Sequence, residues 1–163
     1  MAMTLVSTIT ASTTVLEMTF NNVPQTGKDL LLVVSHRHPD NGITGLFLRF
    51  NANTSNYSYR ELIGNGSTVS SVNASAQDSI RFGYAAGGTS ATTNTFGNSA
   101  VYIANYTVSA AKSVSSDSVF ENNATRADQN ITAGLWNNTA AITSVTINTA
   151  MVANSTASLY IIS

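Results

Sequence analysis

Hydrophobic residues recur along this chain in short bursts with a period of two, and nowhere with the period of an amphipathic helix. In "TVLEMTF" (14–20), Val15, Glu17 and Thr19 fall on one side and Leu16, Met18 and Phe20 on the other. "GLFLRFN" (45–51) repeats the alternation, with Leu46, Leu48 and Phe50 opposite Phe47 and Arg49. "LLLVVSHR" (30–37) starts apolar on both sides, as a central strand of a sandwich does. Further strands are predicted at "YSYREL" (57–62), "SIRFGYA" (79–85), "AVYIANYTV" (100–108), "KSVSSDSVF" (112–120), "AITSVTIN" (141–148) and "ASLYIIS" (157–163). Turn formers separate them: "NNVPQTGKD" (21–29), the Asn65-Gly66 pair, and "AGGTSATTN". Nine or so short strands at this spacing predict an all-β fold, an antiparallel β-sandwich of jelly-roll type. One domain is expected over residues 14–163, preceded by residues 1–13 as an N-terminal arm or first strand. "MAMTLVSTITAST" suits an extended arm that adds a strand to a neighbour.

Composition sharpens this picture. The chain holds 22 Thr, 21 Ser and 18 Asn among 163 residues, while charged residues make up only 9%. Thr favours strands, and Asn and Ser favour turns. A nearly uncharged surface is poorly suited to a free monomer. Lone sheets commonly guard their edges with Lys or Pro, and this chain has two of each. Both features predict that the protein assembles with copies of itself or with a partner.

Several function classes lose support. The seven basic residues are scattered from Lys28 to Arg126, so no patch follows a run of phosphates and no nucleic acid is expected as partner. No apolar run has the length of a membrane span, and "MAMTLVSTIT" lacks the basic flank and long apolar stretch of a signal peptide. There is no cysteine, hence no disulfide and no thiolate metal site.

Both histidines lie in "SHRHPDNG" (35–42), where strand spacing would put His36, His38 and Asp40 on one face as candidate metal ligands. Against this, "HPDNG" is dense in turn formers, and Pro39 leaves little ladder beyond it. The two histidines are therefore expected to be loop residues whose replacement by Asn leaves folding unchanged. Neither a nucleophile elbow nor a close pair of carboxylates on one strand is visible, so no enzymatic activity, catalytic residue, metal or cofactor is expected. Tyr57, Tyr59, Tyr84, Tyr102, Tyr106 and Trp136 would serve either a sugar-stacking platform or the core, and Trp136 is expected to be buried.

"GLFLRFNANTSNYSYRELIGNGSTVSS", "NTFGNSAVYIANY" and "GLWNNTAAITSVTI" occur in that order. Together they resemble a family of small virion proteins of tailed bacteriophages. The last stretch is the most distinctive, matching at Trp136, Thr139, Ala140, Ala141, Ile142 and Thr143, and the likeness extends over about residues 20–163. The resemblance implies a jelly-roll structural protein, most simply a capsid decoration (cement) protein. Such a protein would be made in the bacterial cytoplasm, sit on the capsid surface of the virion, form a homotrimer and bridge units of the major capsid protein. The alternative it implies is a tail-fibre or baseplate domain that recognises a host glycan, and the aromatic residues keep a carbohydrate-binding module as a further rival. It brings no catalytic residues, and its pattern asks for no histidine at positions 36 and 38.

Overall fold

A computed structural model of the chain describes residues 2–123 and 125–163. Twelve strands run in order: β1 (Met3–Thr10), β2 (Met18–Phe20), β3 (Asp29–His36), β4 (Gly42–Phe50), β5 (Tyr57–Gly64), β6 (Val69–Gln77), β7 (Ile80–Gly87), β8 (Gly97–Ile103), β9 (Lys112–Glu121), β10 (Ala127–Trp136), β11 (Val145–Ile147) and β12 (Thr156–Ile162). The only helical element among the described residues is a single 3-10 turn, Gly88–Ser90.

The strands form two antiparallel sheets. The larger has the order β1-β12-β3-β8-β9-β10-β5-β6, and the smaller β2-β11-β4-β7. They pack face to face, with β7 crossing β9 and β10. The expected all-β antiparallel sandwich is thus the fold. The division of eight strands against four differs from the two equal sheets of a simple jelly roll. Residues at the start of the chain, expected as an arm or a first strand, form β1, which pairs within its own chain to β12.

The core follows from alternation. Leu30, Leu32 and Val34 of β3, Leu46, Leu48 and Phe50 of β4, and Ala157, Leu159 and Ile161 of β12 all point between the sheets and are buried. Asn supplies the turns. Among the described residues, seven of the nine non-glycine residues with positive φ are Asn, including Asn22, Asn51, Asn105 and Asn154. The short amide side chain tolerates the left-handed region, which accounts for much of the Asn content.

Two strands were not expected. β10 carries Asp128, Asn130 and Thr132 inward, buried, and Ile131 and Leu135 outward, exposed. Its amphipathicity is inverted, so a search for an apolar inner face misses it. β6, "VSSVNASAQ", is an edge strand largely exposed on both sides and has little pattern to read.

The inverted strand becomes intelligible where the sheets approach closely. A Cβ on Gly83 of β7 would lie 2.3 Å from Ser118 Oγ on β9. Only small side chains fit there, and serine and threonine fill the space. Their hydroxyls find partners: Ser116 Oγ donates to Phe82 O at 2.8 Å and Thr132 Oγ1 to Asn130 Oδ1 at 3.1 Å.

Candidate functional site

His36 is the last residue of β3, in step with Leu30, Leu32 and Val34, and only 1% exposed. Its Nε2 lies 3.0 Å from Ser99 Oγ, which donates onward to Ser118 Oγ at 2.8 Å. With Ser99 donating forward, Nε2 carries the proton, and the buried Nδ1 has no hydrogen-bond partner. The imidazole fits because β8 opposes it with Gly97, where a Cβ would come within 2.5 Å of the ring. Burial holds the His36 pKa down at about 4, against the usual 6.5, so the ring is neutral at pH 7.

His38 is also buried, its Nδ1 accepting from Asp40 N at 3.2 Å within the turn, while Asp40 itself is exposed. The expectation that both histidines are surface loop residues is therefore corrected. Period-two alternation carries His36 into the core, and the bridge between His38 and Gly87 draws His38 against β7. The three residues have separate surroundings, and among the described residues no group of three or more His, Asp or Glu side chains is placed to hold a metal.

Between the histidines, Arg37 faces the other way. Its guanidinium donates to the carbonyls of Thr92 (2.7 Å), Thr95 (3.0 Å), Gly88 (3.0 Å) and Ala91 (3.4 Å). It thereby ties down the glycine-rich segment that the sequence marks only as a turn. Sequence reading gave this arginine no role, since its acceptors are backbone atoms more than fifty residues away.

The carboxylates are engaged separately. Glu61, with its side chain fully buried, takes a bidentate fork from Arg81: Nε to Oε1 at 2.9 Å and Nη2 to Oε2 at 2.6 Å. Tyr84 and Tyr59 sandwich the guanidinium, which lies 4.8 and 5.4 Å from their ring centres. Burial, then the Glu61 charge, pushes the Tyr84 phenol up to about 12. Asp29 accepts from Tyr102 Oη and from Asn105 N at 2.7 Å, Asp78 pairs with Arg49, and Asp128 pairs with Arg126. This is the pattern of structural clamps between strands and turns rather than of an acid–base pair facing a cleft.

Two further cations are bound to backbone carbonyls. Lys112 is buried and donates to the carbonyls of Val108 (2.8 Å) and Ala110. Arg60 donates to the carbonyls of Tyr59 (2.8 Å) and Ala74 (3.0 Å).

Four of the six rings proposed for a sugar platform are in the core. Trp136, Tyr57 and Tyr106 are each at most 1% exposed, and Tyr59 is 6% exposed. Trp136 stacks on Tyr57 (6.0 Å between centres, 15° between planes) and tilts against Phe50 at 5.5 Å. Its burial is as expected, and it ends strand β10. The distinctive "GLWNNTAAITSVTI" stretch is also structural in this fold. Ile142 is fully buried, and Asn51 grips the backbone beside it, its Oδ1 accepting from Thr143 N (2.8 Å) and Ser144 N (3.1 Å) and its Nδ2 donating to Ala141 O (2.8 Å).

What the molecule leaves available lies on the outer side of the large sheet. A hollow of about 360 Å³ is lined by Leu62, Ile131 and Ala133, together with Arg60, Ser71 and Asn73. Leu62 and Ile131 are direct cross-strand neighbours and are 54% and 51% exposed. The hollow adjoins β6, one of the two open edges of that sheet. A surface of this kind offers apolar contact and backbone hydrogen bonding, which suits another protein better than a small polar substrate.

Comparison with family models, with curated proteins and with solved structures finds no match.

Proposed function

We propose that this chain is a virion structural protein of a tailed bacteriophage, a decoration protein that seats as a small homo-oligomer on the capsid surface and bridges units of the major capsid protein. The observation that carries the reading is how the side chains are used. The buried charged groups Glu61, Asp29, Asp128 and Lys112 are spent on internal clamps, while two strand edges and a set of apolar side chains face outward. The resemblance of the "GLWNNTAAITSVTI" stretch to such proteins points the same way.

The mechanism is mechanical. A protein laid across a joint between capsomers buries surface from both, and separating them then costs the free energy of that contact. An interface of about 1,600 Å² suffices for stable association. An oligomer gains further because one seated subunit holds its neighbours near their own sites.

Sedimentation of purified protein with emptied heads of its phage tests the reading. The protein is expected to pellet with heads at a fixed ratio to the major capsid protein and to raise the temperature at which the heads come apart. Protein that stays in the supernatant while binding tails or a glycan column would replace the decoration reading with the receptor-binding one.

A further inference from the structure

The large sheet ends in β1 on one side and β6 on the other, and the backbone ladder shows which groups they leave unpaired. Asn65 N donates to Thr68 O at 3.3 Å, closing the β5–β6 hairpin. Antiparallel ladders alternate hydrogen-bonded and non-hydrogen-bonded pairs. Counting from the hairpin, Ser70, Val72 and Ala74 bond inward to β5, and Val69, Ser71 and Asn73 turn their N–H and C=O groups outward. At the other end, Ala2 and Ser163 exchange both backbone bonds at 3.0 Å. Thr4 then bonds inward to β12, and Met3 and Leu5 turn outward.

Neither edge is guarded: β1 and β6 contain no charged residue and no proline. Apolar side chains gather at both. Met3 and Leu5 are 60% and 51% exposed, and Val69 is 76% exposed beside Leu62 and Ile131. All five lie on the outer face of the sheet: Leu62 and Ile131 alternate with buried positions of their strands, and Met3, Leu5 and Val69 are on the side opposite Val6, Ile9, Val72 and Ala74, which pack on the core. A bulge at Val6 divides β1 into Met3–Leu5 and Ser7–Thr10, and one before Gln77 ends the regular part of β6 at Ala74.

Strand direction decides how two copies meet. Eight strands, each antiparallel to its neighbours, make β1 and β6 run in opposite directions. A second copy laid alongside in the same orientation therefore presents β1 antiparallel to β6, with outer face continuing into outer face. We infer that the sheet continues from one copy of this chain to the next, β1 of one molecule adding to β6 of its neighbour. Outward-facing Leu5 then sits opposite Val69 and Met3 opposite Ser71, an apolar pair at the joint. Pairing β6 with β6 about a two-fold axis would leave Met3 and Leu5 uncovered, whereas head-to-tail pairing covers both edges with one kind of contact. Such a contact closes into a ring when its rotation permits.

The inference rests on the strand edges and not on the capsid reading. Heads that bind a monomeric protein would defeat edge pairing alone, and an oligomer indifferent to heads would defeat only the capsid reading.

Complementation tests it. Met3→Lys with Leu5→Lys charges the β1 edge. Ser71→Pro removes an outward N–H from β6 without touching the β5 ladder, and Ser71→Lys is the second variant should proline impair folding. Each is checked for a wild-type melting profile and then sized by sedimentation. Wild type is expected as an oligomer, each edge variant alone as a monomer, and an equimolar mixture of the two as a one-to-one dimer, since one intact β1 and one intact β6 remain. A monomeric wild type, either folded variant keeping the wild-type mass or forming dimers alone, or a mixture that fails to pair would overturn the inference.

Discussion

His36 shows what a single residue contributes and how it is read. Its neighbours at positions 30, 32 and 34 are apolar and inward, so the same count places an imidazole in the core. The signal was present in the alternation, but turn formers immediately downstream point to a loop. The energetic consequence is pH dependence. An unfolded chain binds the proton near pH 6.5, whereas the folded protein resists it down to about pH 4. Stability from this residue is complete above pH 6.5 and drains away as the pH falls towards 4, by about 3 kcal/mol in all. Urea unfolding at pH 7 and pH 4.5 is expected to show most of that loss in the wild type and little of it in His36→Gln. An equal loss in both would assign the acid sensitivity elsewhere. Trp136 makes a simpler case. Removing its ring opens a cavity between Tyr57 and Phe50, and Trp136→Ala is expected to cost about 3 to 5 kcal/mol. Because its buried Nε1 has no hydrogen-bond partner, Trp136→Phe should cost less than alanine, and thermal melts of the two variants compare them directly.

At the scale of elements, most strands were legible and two were not, for opposite reasons. β3, β4 and β12 alternate with an apolar side inward, so their faces follow from the sequence. β10 alternates just as regularly with its polar side inward, because the sheets approach too closely at Gly83 and Ser118 for large side chains. No rule that sends apolar residues inside finds such a strand. The Glu61–Arg81 clamp was equally hidden, since its partners lie on different sheets, twenty residues apart. It holds the β5 end of the large sheet to β7. Glu61→Ala is expected to cost about 3 kcal/mol, the lower end of the range for a broken buried pair, because the Arg81 side chain remains 20% exposed and keeps some water. Replacing both residues by Leu should cost less than Glu61→Ala alone, as chemical denaturation of the single and double variants would show. Asn51 joins elements in another way, with φ at 53° and an amide gripping three residues of the segment before β11. Asn51→Ala is expected to cost about 2 kcal/mol from lost hydrogen bonds and left-handed strain, checked by the same unfolding curves.

For the whole molecule, the Thr, Ser and Asn content pointed to an all-β chain, because these residues serve strands and turns whatever their order, and the spacing of the short alternating strands correctly gave a sandwich. The eight-to-four division of strands was not legible. It depends on which edges meet across the fold, and that information is spread over distant segments. The candidate surface was half legible. Unguarded edges follow from the scarcity of Lys and Pro, but the placing of Met3 and Leu5 at one edge and of Leu62, Val69 and Ile131 near the other, all on the outer face, requires the strand register. A nearly neutral sandwich with its buried charges paired inside and exposed apolar residues at its open edges is suited to building an assembly. The most direct test of that account is an image of the intact phage particle with the protein labelled or with its density resolved. The account places the protein on the outside of the head, in small rings at repeated positions between capsomers. Density confined to the tail or its fibres, with a bare head surface, would contradict it.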